Sequence, residues 1–199
     1  MKIAQKFKRF IQERNFSKHS HPKTYDWAWK TKGFNRIATV NYLISISGGL
    51  NARYLEIGCA SNALFDSVSS IYKTGVDPAS GGTHCMTSDS FFANNQEIFD
   101  VIFIDGLHEY EQVHRDAINA LKAVEVGGFI AFHDFLPSTW KEHHVPRISD
   151  AWTGDCWKLA VQLMESTGIE FVILDIDYGV GLMKKLSDDW SVPKVTEDL

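Results

Sequence analysis

Long apolar runs are missing from this sequence. No uninterrupted stretch approaches the about 18 to 20 residues that a membrane span needs, and no apolar core follows the charges of the first residues. Stable membrane insertion and secretion are therefore not expected, and a cytoplasmic chain is. Cysteine is scarce as well. Cys59, Cys85 and Cys156 are odd in number, widely spaced and outside any CxxC pattern, which excludes a disulfide framework and a zinc site and fits a reducing compartment. Internal repeats and low-complexity segments are absent too, so no repeat architecture is expected. Positive charge is thin beyond the front of the chain. Residues 1–36 hold ten Lys and Arg against two acids, whereas the remainder holds ten against twenty-three, for a net charge of -5. An acidic body argues against nucleic acid as a partner.

What remains is a chain of 199 residues, 44% hydrophobic, enough to bury one sizeable core. In the basic front, Ile3, Phe7, Phe10 and Ile11 recur at helical spacing among Lys2, Lys6, Lys8 and Arg9, which predicts a basic amphipathic helix. It is expected to pack on its own domain or on a second subunit, giving a homo-oligomer, with a membrane or nucleic-acid surface as the alternative. Residues 17–34 are polar, aromatic and weakly periodic, and read as a loop or lid leading to a second helix near 35–47. The division expected is therefore a helix and lid over 1–34 and a main domain over 35–199.

From residue 53 short β-rich runs alternate with helical ones. The strands read as RYLEIG, KTGVD, THCM, FDVIFID and GFIAFHD, with helical stretches at ALFDSVSSI, DSFFANN and 109–124, the last with Val113, Ala117, Leu121 and Val124 on one face. That alternation predicts βαβ units, an α/β doubly wound, mostly parallel sheet covered on both faces. A turn-rich loop over 135–152, in which His143 and His144 read as exposed, leads to a helix with Trp157, Ala160, Val161 and Met164 on one face. EFVILDID and YGVGLMKK follow with too little between them for a parallel crossover, so they must form an antiparallel hairpin near one edge.

Ligands of such sheets collect beyond the carboxyl ends of the strands. The first strand ends in LEIGCASN. Gly58 lets the backbone come close to a ligand, and Glu56 places a negative charge there that suits a cationic or zwitterionic one. The second ends in GVDP, where Asp77 can accept from both hydroxyls of a ribose. Ser88 and Asp89 in TSDSFF are either N-caps or contacts to an adenine amine.

YLEIG, KTGVDP, MTSDSFF, FDVIFIDGLHEYEQVHRD, GGFIAFHDFLP and TGDCWK, in that order, resemble the class I S-adenosylmethionine-dependent methyltransferases. Within them the chain is most similar to the metal-dependent small-molecule O-methyltransferases of macrolide-sugar and catechol type, over residues 35–185. The resemblance implies a Rossmann-like sheet of seven strands and S-adenosylmethionine surrounded by Glu56, Gly58, Asp77 and Asp89. Asn62 stands where the family often has glycine, and Asn tolerates left-handed backbone.

Asp105 and Asp134 end strands expected to be neighbours, so the two carboxylates converge and repel unless a proton or cation intervenes. Mg2+ is the natural hard cation for oxygen ligands. Methyl transfer to a hydroxyl also needs a base, and His108, in the loop that carries Asp105, has a suitable pKa. The resemblance implies acids at 105 and 134 as metal ligands and a histidine base at 108. Phe135 stands where catechol-type enzymes supply an asparagine ligand, leaving His133 or water as the third. The alternative is that Asp105 caps a helix, His133 is a satisfied core imidazole and no metal binds. In DAWTGDCWK, Trp152 and Asp155 are acceptor contacts, or else Asp155 is an N-cap and Trp157 a core residue. Arg115 and Asp116 read as solvated. The expected activity is O-methylation of a small hydroxylated acceptor, a sugar or glycosylated metabolite; the rivals are a non-catalytic nucleoside-binding scaffold and a non-haem iron oxygenase using two histidines and a carboxylate.

Overall fold

The computed structural model describes residues 2–193, and residues 194–199 of the expected main domain lie outside them. In chain order the elements are helices α1 (Lys2–Asn15) and α2 (Arg36–Ser47), strands β1 (Arg53–Ile57) and β2 (Tyr72–Val76), helix α3 (Ser88–Asn94), strand β3 (Phe99–Ile104) and helix α4 (Tyr110–Ala123). Strand β4 (Val124–Phe132), helices α5 (Trp140–His143) and α6 (Trp157–Met164), and strands β5 (Ile169–Leu174) and β6 (Val180–Lys185) complete the chain. Among the described residues no helix is long and apolar enough to cross a membrane.

One sheet runs β2-β1-β3-β4-β6-β5. The first four strands are mutually parallel, and β6 alone runs against them, with β5 paired antiparallel to it as the edge. The hairpin and the single reversed strand near the edge are as the sequence predicts. Alternation along the strands sends Leu55, Ile57, Ile102, Ile104, Ile130 and Phe132 to one face, where Val113, Ala117 and Leu121 of α4 and Leu159 and Leu163 of α6 meet them. Tyr54, Val101, Phe103 and Ala131 go to the other, against Val40, Leu43 and Ile44 of α2. Each fully buried Val, Leu, Ile or Phe among them contributes about 1.5–3 kcal/mol from the area it removes from water. Helices on both faces make the sheet doubly wound.

Among the described residues the strand count is six, not seven. THCM, residues 83–86, forms a single parallel bridge between Val76 and His84. The seven residues from Asp77 to Thr83 are too short for a crossover that could lay a full parallel strand beside β2. The predicted helix at ALFDSVSSI shrinks to one 3-10 turn, Phe65–Ser67. Its serines bond to backbone instead: Ser67 Oγ donates to the Ala63 carbonyl and Ser70 Oγ to that of Ala52, a competition that disfavours helix. In α6 the buried face is Leu159, Ala160 and Leu163, while Met164 is exposed, because the leucine stripe is the one that reaches α4.

The N-terminal helix forms as expected but does not turn its apolar stripe to the domain. Phe7, Phe10 and Ile11 are exposed, whereas Arg9 pairs with Asp150 and Glu13 with Lys141. Ile3 lies outside the residues whose side chains are described. His144 is buried, not exposed: its Nε2 meets Nδ1 of His19 at 3.0 Å, and Phe16 packs on its ring.

Candidate active site

The parallel strands end together at one rim. Gly58 follows β1, Asp77 follows β2, Asp105 follows β3, and His133 and Asp134 follow β4. β6 starts at this rim, so the hairpin turn before it brings in Asp177 and Tyr178 as well. Beside β1, β2 and β3 lies a cavity of about 660 Å3, walled by Gly58, Asp77, Ser88, Asp89, Asp105 and His108 among others.

Gly58 is fixed by the fold itself. At φ +89° a Cβ there would stand 2.1 Å from the Asp105 carbonyl oxygen, so the close approach it permits is first of all between two strand ends. Asp77 stitches the loops of the cavity wall: Oδ1 accepts from the N-H groups of Ala79 (2.8 Å) and Ser80 (2.9 Å), and Oδ2 from that of Ala60 (2.9 Å). Burial alone would raise its pKa, but these donors hold it below the ordinary value. Asn62 takes the left-handed conformation the turn requires, at φ 64°, and its Oδ1 accepts from Gly82 N.

The N-cap of α3 is Thr87 rather than Ser88 or Asp89. Ser88 is buried and accepts from Gln112 Nε2 at 3.1 Å; Asp89 lies on the exposed lip, paired with Arg115. Glu56 is placed otherwise than its motif suggests. It is 2% exposed, does not line the cavity, and accepts a hydrogen bond from the Tyr54 hydroxyl at 2.6 Å behind the wall. Burial, reinforced by Asp105 and opposed by the Tyr54 bond, pushes its carboxyl up to about 7.

At the lip of the cavity, His108 bridges the two acids. Its Nε2 lies 3.2 Å from Asp105 and its Nδ1 3.0 Å from Asp134 and 3.0 Å from the Trp152 carbonyl. Asp105, His108 and Asp134 can each place a ligand atom within 4.8 Å of the others. His133 Nδ1 is 3.4 Å from Asp105 and 3.2 Å from Asp134, and its other nitrogen faces Asp177 at 3.6 Å and Arg36 at 3.3 Å. Asp134 holds a φ of 66°, a left-handed backbone that short acids tolerate, which turns its carboxylate into this group. Phe135 packs in the core against Phe132 and Phe171 and offers no ligand.

Burial alone would lower the pKa of both imidazoles. Bonds to Asp105 and Asp134 overcome it, raising His108 to about 10 and His133 well above the ordinary value. Conversely, bonds from both histidines hold Asp105 and Asp134 below the usual carboxylate range against the effect of burial.

A clip fixes the loop that carries His108. The Trp152 ring stacks on His108 with centroids 5.5 Å apart, and Gly154, at φ +58°, passes so close to the His108 carbonyl that a Cβ would overlap it. Asp155 Oδ1 accepts from Tyr110 N at 2.7 Å, so it caps α4 across 45 positions of sequence. Trp152 Nε1 in turn donates to the His144 carbonyl at 2.8 Å.

Three residues of this region are missed by the sequence reading. Asp116 is 1% exposed and lines the cavity beside Ser88 and Gln112, its carboxyl raised by burial. Its place in the apolar stripe of α4, next to Ala117 and Ala120, was the available signal. Arg36 ion-pairs with Asp177 at 2.9 Å, and a cation in the first turn of a helix, against the dipole, was a hint of such a partner. Asp177 itself gave no signal beyond being an acid in a tight turn.

Residues 55–135 match the model of a family described as a methyltransferase domain. No curated protein matches the chain in sequence. Solved structures of similar fold include an O-methyltransferase from Bacillus cereus in complex with SAH, with a TM-score of 0.54 and 14% identity over 92% of this chain and 91% of that one. The SAH-bound methyltransferase PaMTH1 of Podospora anserina gives 0.54 and 15%, over 88% of this chain and 95% of that one. MycE, from the mycinamycin biosynthetic pathway, in complex with Mg, SAH and mycinamycin VI, gives 0.52 and 15%, over 81% of this chain but 53% of that one. Residues 55–135 thus match a methyltransferase-domain model, and the chain shares its fold with these solved structures.

Proposed function

We propose that the chain moves the methyl group of S-adenosylmethionine onto a hydroxyl oxygen of a small acceptor, assisted by a divalent cation such as Mg2+. The observation that carries this reading is the convergence of Asp105, His108 and Asp134 at the lip of the cavity. Gly58, Asp77, Ser88 and Asp89 line the cofactor side. Asp77 has spent three acceptor positions on backbone donors, which leaves capacity for a ribose hydroxyl. Ser88, Gln112 and Asp116 form a polar back wall that suits an adenine amine, and Glu56 stands behind β1, outside the cavity lining.

The residues fit a cation. Three carboxylates, Asp105, Asp134 and Asp177, face one guanidinium, Arg36, and two imidazoles, His108 and His133, within 4.0 Å. The group balances when both imidazoles are protonated, and a dication can replace those two protons without changing the sum. Asp105 and Asp134 would supply oxygen ligands and His133 a nitrogen one, with His108 beside them. A bound cation would lower the pKa of a coordinated hydroxyl and neutralise the paired acids.

His108 is the base. Its Nδ1 proton is shared by the Trp152 carbonyl and Asp134, so Nε2 is the nitrogen that gains or loses the second proton. That nitrogen accepts from the acceptor hydroxyl once His108 is neutral, the state reached by the proton exchange just described.

A second groove, of about 680 Å3, opens on the Asp177 side of the group. Its aromatic rings run in sequence, Tyr25 on Trp27 at 5.3 Å, Trp27 on Trp29 at 6.4 Å and Trp29 on Tyr178 at 4.5 Å. Flat, partly exposed rings suit a sugar face or another ring. This supports a small hydroxylated acceptor, a sugar or glycosylated metabolite, received by the lid segment 17–34.

Calorimetry with S-adenosylmethionine, followed by transfer from labelled cofactor to sugars, glycosides and catechols with and without chelator, tests the reading. Asp105→Ala and His108→Ala should lose transfer and keep cofactor binding, while Asp77→Ala should weaken binding itself. Equal loss of cofactor affinity in all three overturns this division, and binding without turnover on any acceptor favours a non-catalytic nucleoside-binding protein.

A further inference from the structure

A surface helix of a globular domain normally turns its apolar stripe inward and its charges outward. Helix α1 does the reverse. Two ion pairs tie it to the domain: Arg9 pairs with Asp150, and Glu13, one turn on along the same side, pairs with Lys141, while Phe10 and Arg14 edge an open groove against Trp140. Its large apolar side chains face solvent, with Phe7 64%, Phe10 63% and Ile11 43% exposed. Lys6 and Lys8 flank these residues on opposite sides, and both are exposed. Arg14, four residues after Phe10, continues the apolar line, is exposed, and has no ion-pair partner among the described residues. The first acid of the sequence is Glu13, and Lys141 already holds it. The outward face therefore combines aromatic side chains with cations and has no free carboxylate.

We propose that α1 is a peripheral anchor for an anionic lipid bilayer, with Phe7, Phe10 and Ile11 entering the boundary between headgroups and acyl chains. Lys6, Lys8 and Arg14 meet lipid phosphates. A helix of 14 residues, about 21 Å long and this charged, cannot span a membrane, so it lies in the plane of the surface. The ion pairs to Asp150 and Lys141 hold the domain above it.

Charge selects lipid over a second copy of the chain. A cation in line with an apolar stripe is costly in a protein interface unless an acid meets it, whereas at a headgroup layer its stem lies along the apolar phase and its guanidinium reaches phosphate. Helix α2, which exposes Tyr42 and Ile46, has no acid in its sequence RIATVNYLISIS to offer Arg14 or the lysines. Nothing in this assignment depends on the transfer reaction.

The test is flotation of the full chain with vesicles of phosphatidylcholine alone and of phosphatidylcholine mixed with phosphatidylserine, at low and high salt. Binding is expected only to the mixed vesicles and should weaken in high salt. Each of Lys6→Gln and Lys8→Gln should weaken it about fivefold, and the double change Phe7→Ser, Phe10→Ser should abolish it with no change in melting temperature, because both side chains are exposed. Absence of binding to mixed vesicles overturns the proposal, as does binding that survives the double change. Sedimentation provides a separate control: a dimer that the double change turns into monomer would assign the stripe to a second copy and refute the lipid assignment.

Discussion

Replacing His108 by Gln removes the cation between the half-buried Asp105 and the buried Asp134 carboxylates and keeps the approximate size and one donor of the side chain. In the native arrangement Nε2 lies 3.2 Å from Asp105 and Nδ1 3.0 Å from Asp134. Without it the two acids retain His133, which sits 3.4 Å and 3.2 Å from them. Breaking a buried charge pair by removing one partner costs about 3–5 kcal/mol. For a chain of this size that is a fall of roughly 6 to 20 °C in Tm. The loss must depend on pH in a definite direction. The folded-state pKa of His108 is raised from 6.5 to about 10, so the stability it contributes is complete below about pH 6.5 and disappears as pH rises through about 10. Melting curves of wild type and variant, taken from pH 6 upward, should therefore converge at the alkaline end. Mg2+ added at neutral pH should raise the Tm of His108→Gln more than that of wild type, because the variant has the larger uncompensated charge. A Tm difference that is the same at pH 6 and near pH 10, and indifferent to Mg2+, would refute the electrostatic account of this group.

Glu56→Gln should stabilise the chain at pH 8 by about 1–3 kcal/mol and do nothing near pH 4. Burial raises the Glu56 carboxyl from 4.5 to about 7, so ionising it costs stability as pH climbs between those values, and glutamine can still accept from Tyr54; chemical denaturation at the two pH values decides. Asp155→Ala removes the acceptor for Tyr110 N and should cost about 0.5–2 kcal/mol, as lost helix caps do. Urea denaturation measures it, and an unchanged midpoint would mean that the clip contributes nothing to α4.

The sheet was readable because its strands are apolar on both faces and end in acids, while the gap between β5 and β6 is too short for anything but a hairpin. The edge beyond β2 was not. THCM has the residues of a strand, and only the brevity of the loop before it, a matter of chain reach, reduces it to one bridge. ALFDSVSSI has the composition of a helix, and its serines found nearer acceptors. Asp105, His108 and Asp134 were legible as a set because each sits at or just after a strand end, and strand ends of parallel neighbours must coincide. Glu56 shows the limit of that rule. One residue short of the strand end, its side chain falls to the buried face with Tyr54, which strand period dictates once the register is known. Asp177, Arg36 and the Asp155 cap depend on pairings across 45 to 141 positions of sequence, and no local pattern encodes those.

The reversed direction of β6 has a consequence for how the chain can change over generations. A parallel strand delivers its final residue to the rim, so anything added there must continue into a helix that covers the sheet. An antiparallel strand begins at the rim, and the turn ahead of it, Ile176 to Gly179, carries no helix of its own and is held by the N-H groups of Phe135 and Leu136, which donate to the Gly179 and Tyr178 carbonyls. That turn, with the aromatic segment before α2, walls the groove on the Asp177 side, while Gly58, Asp77 and Ser88 wall the cavity on the other. Insertions or exchanges in the turn leave the second wall untouched. On the proposed function, preference for one acceptor can therefore drift while affinity for the methyl donor stays where it was.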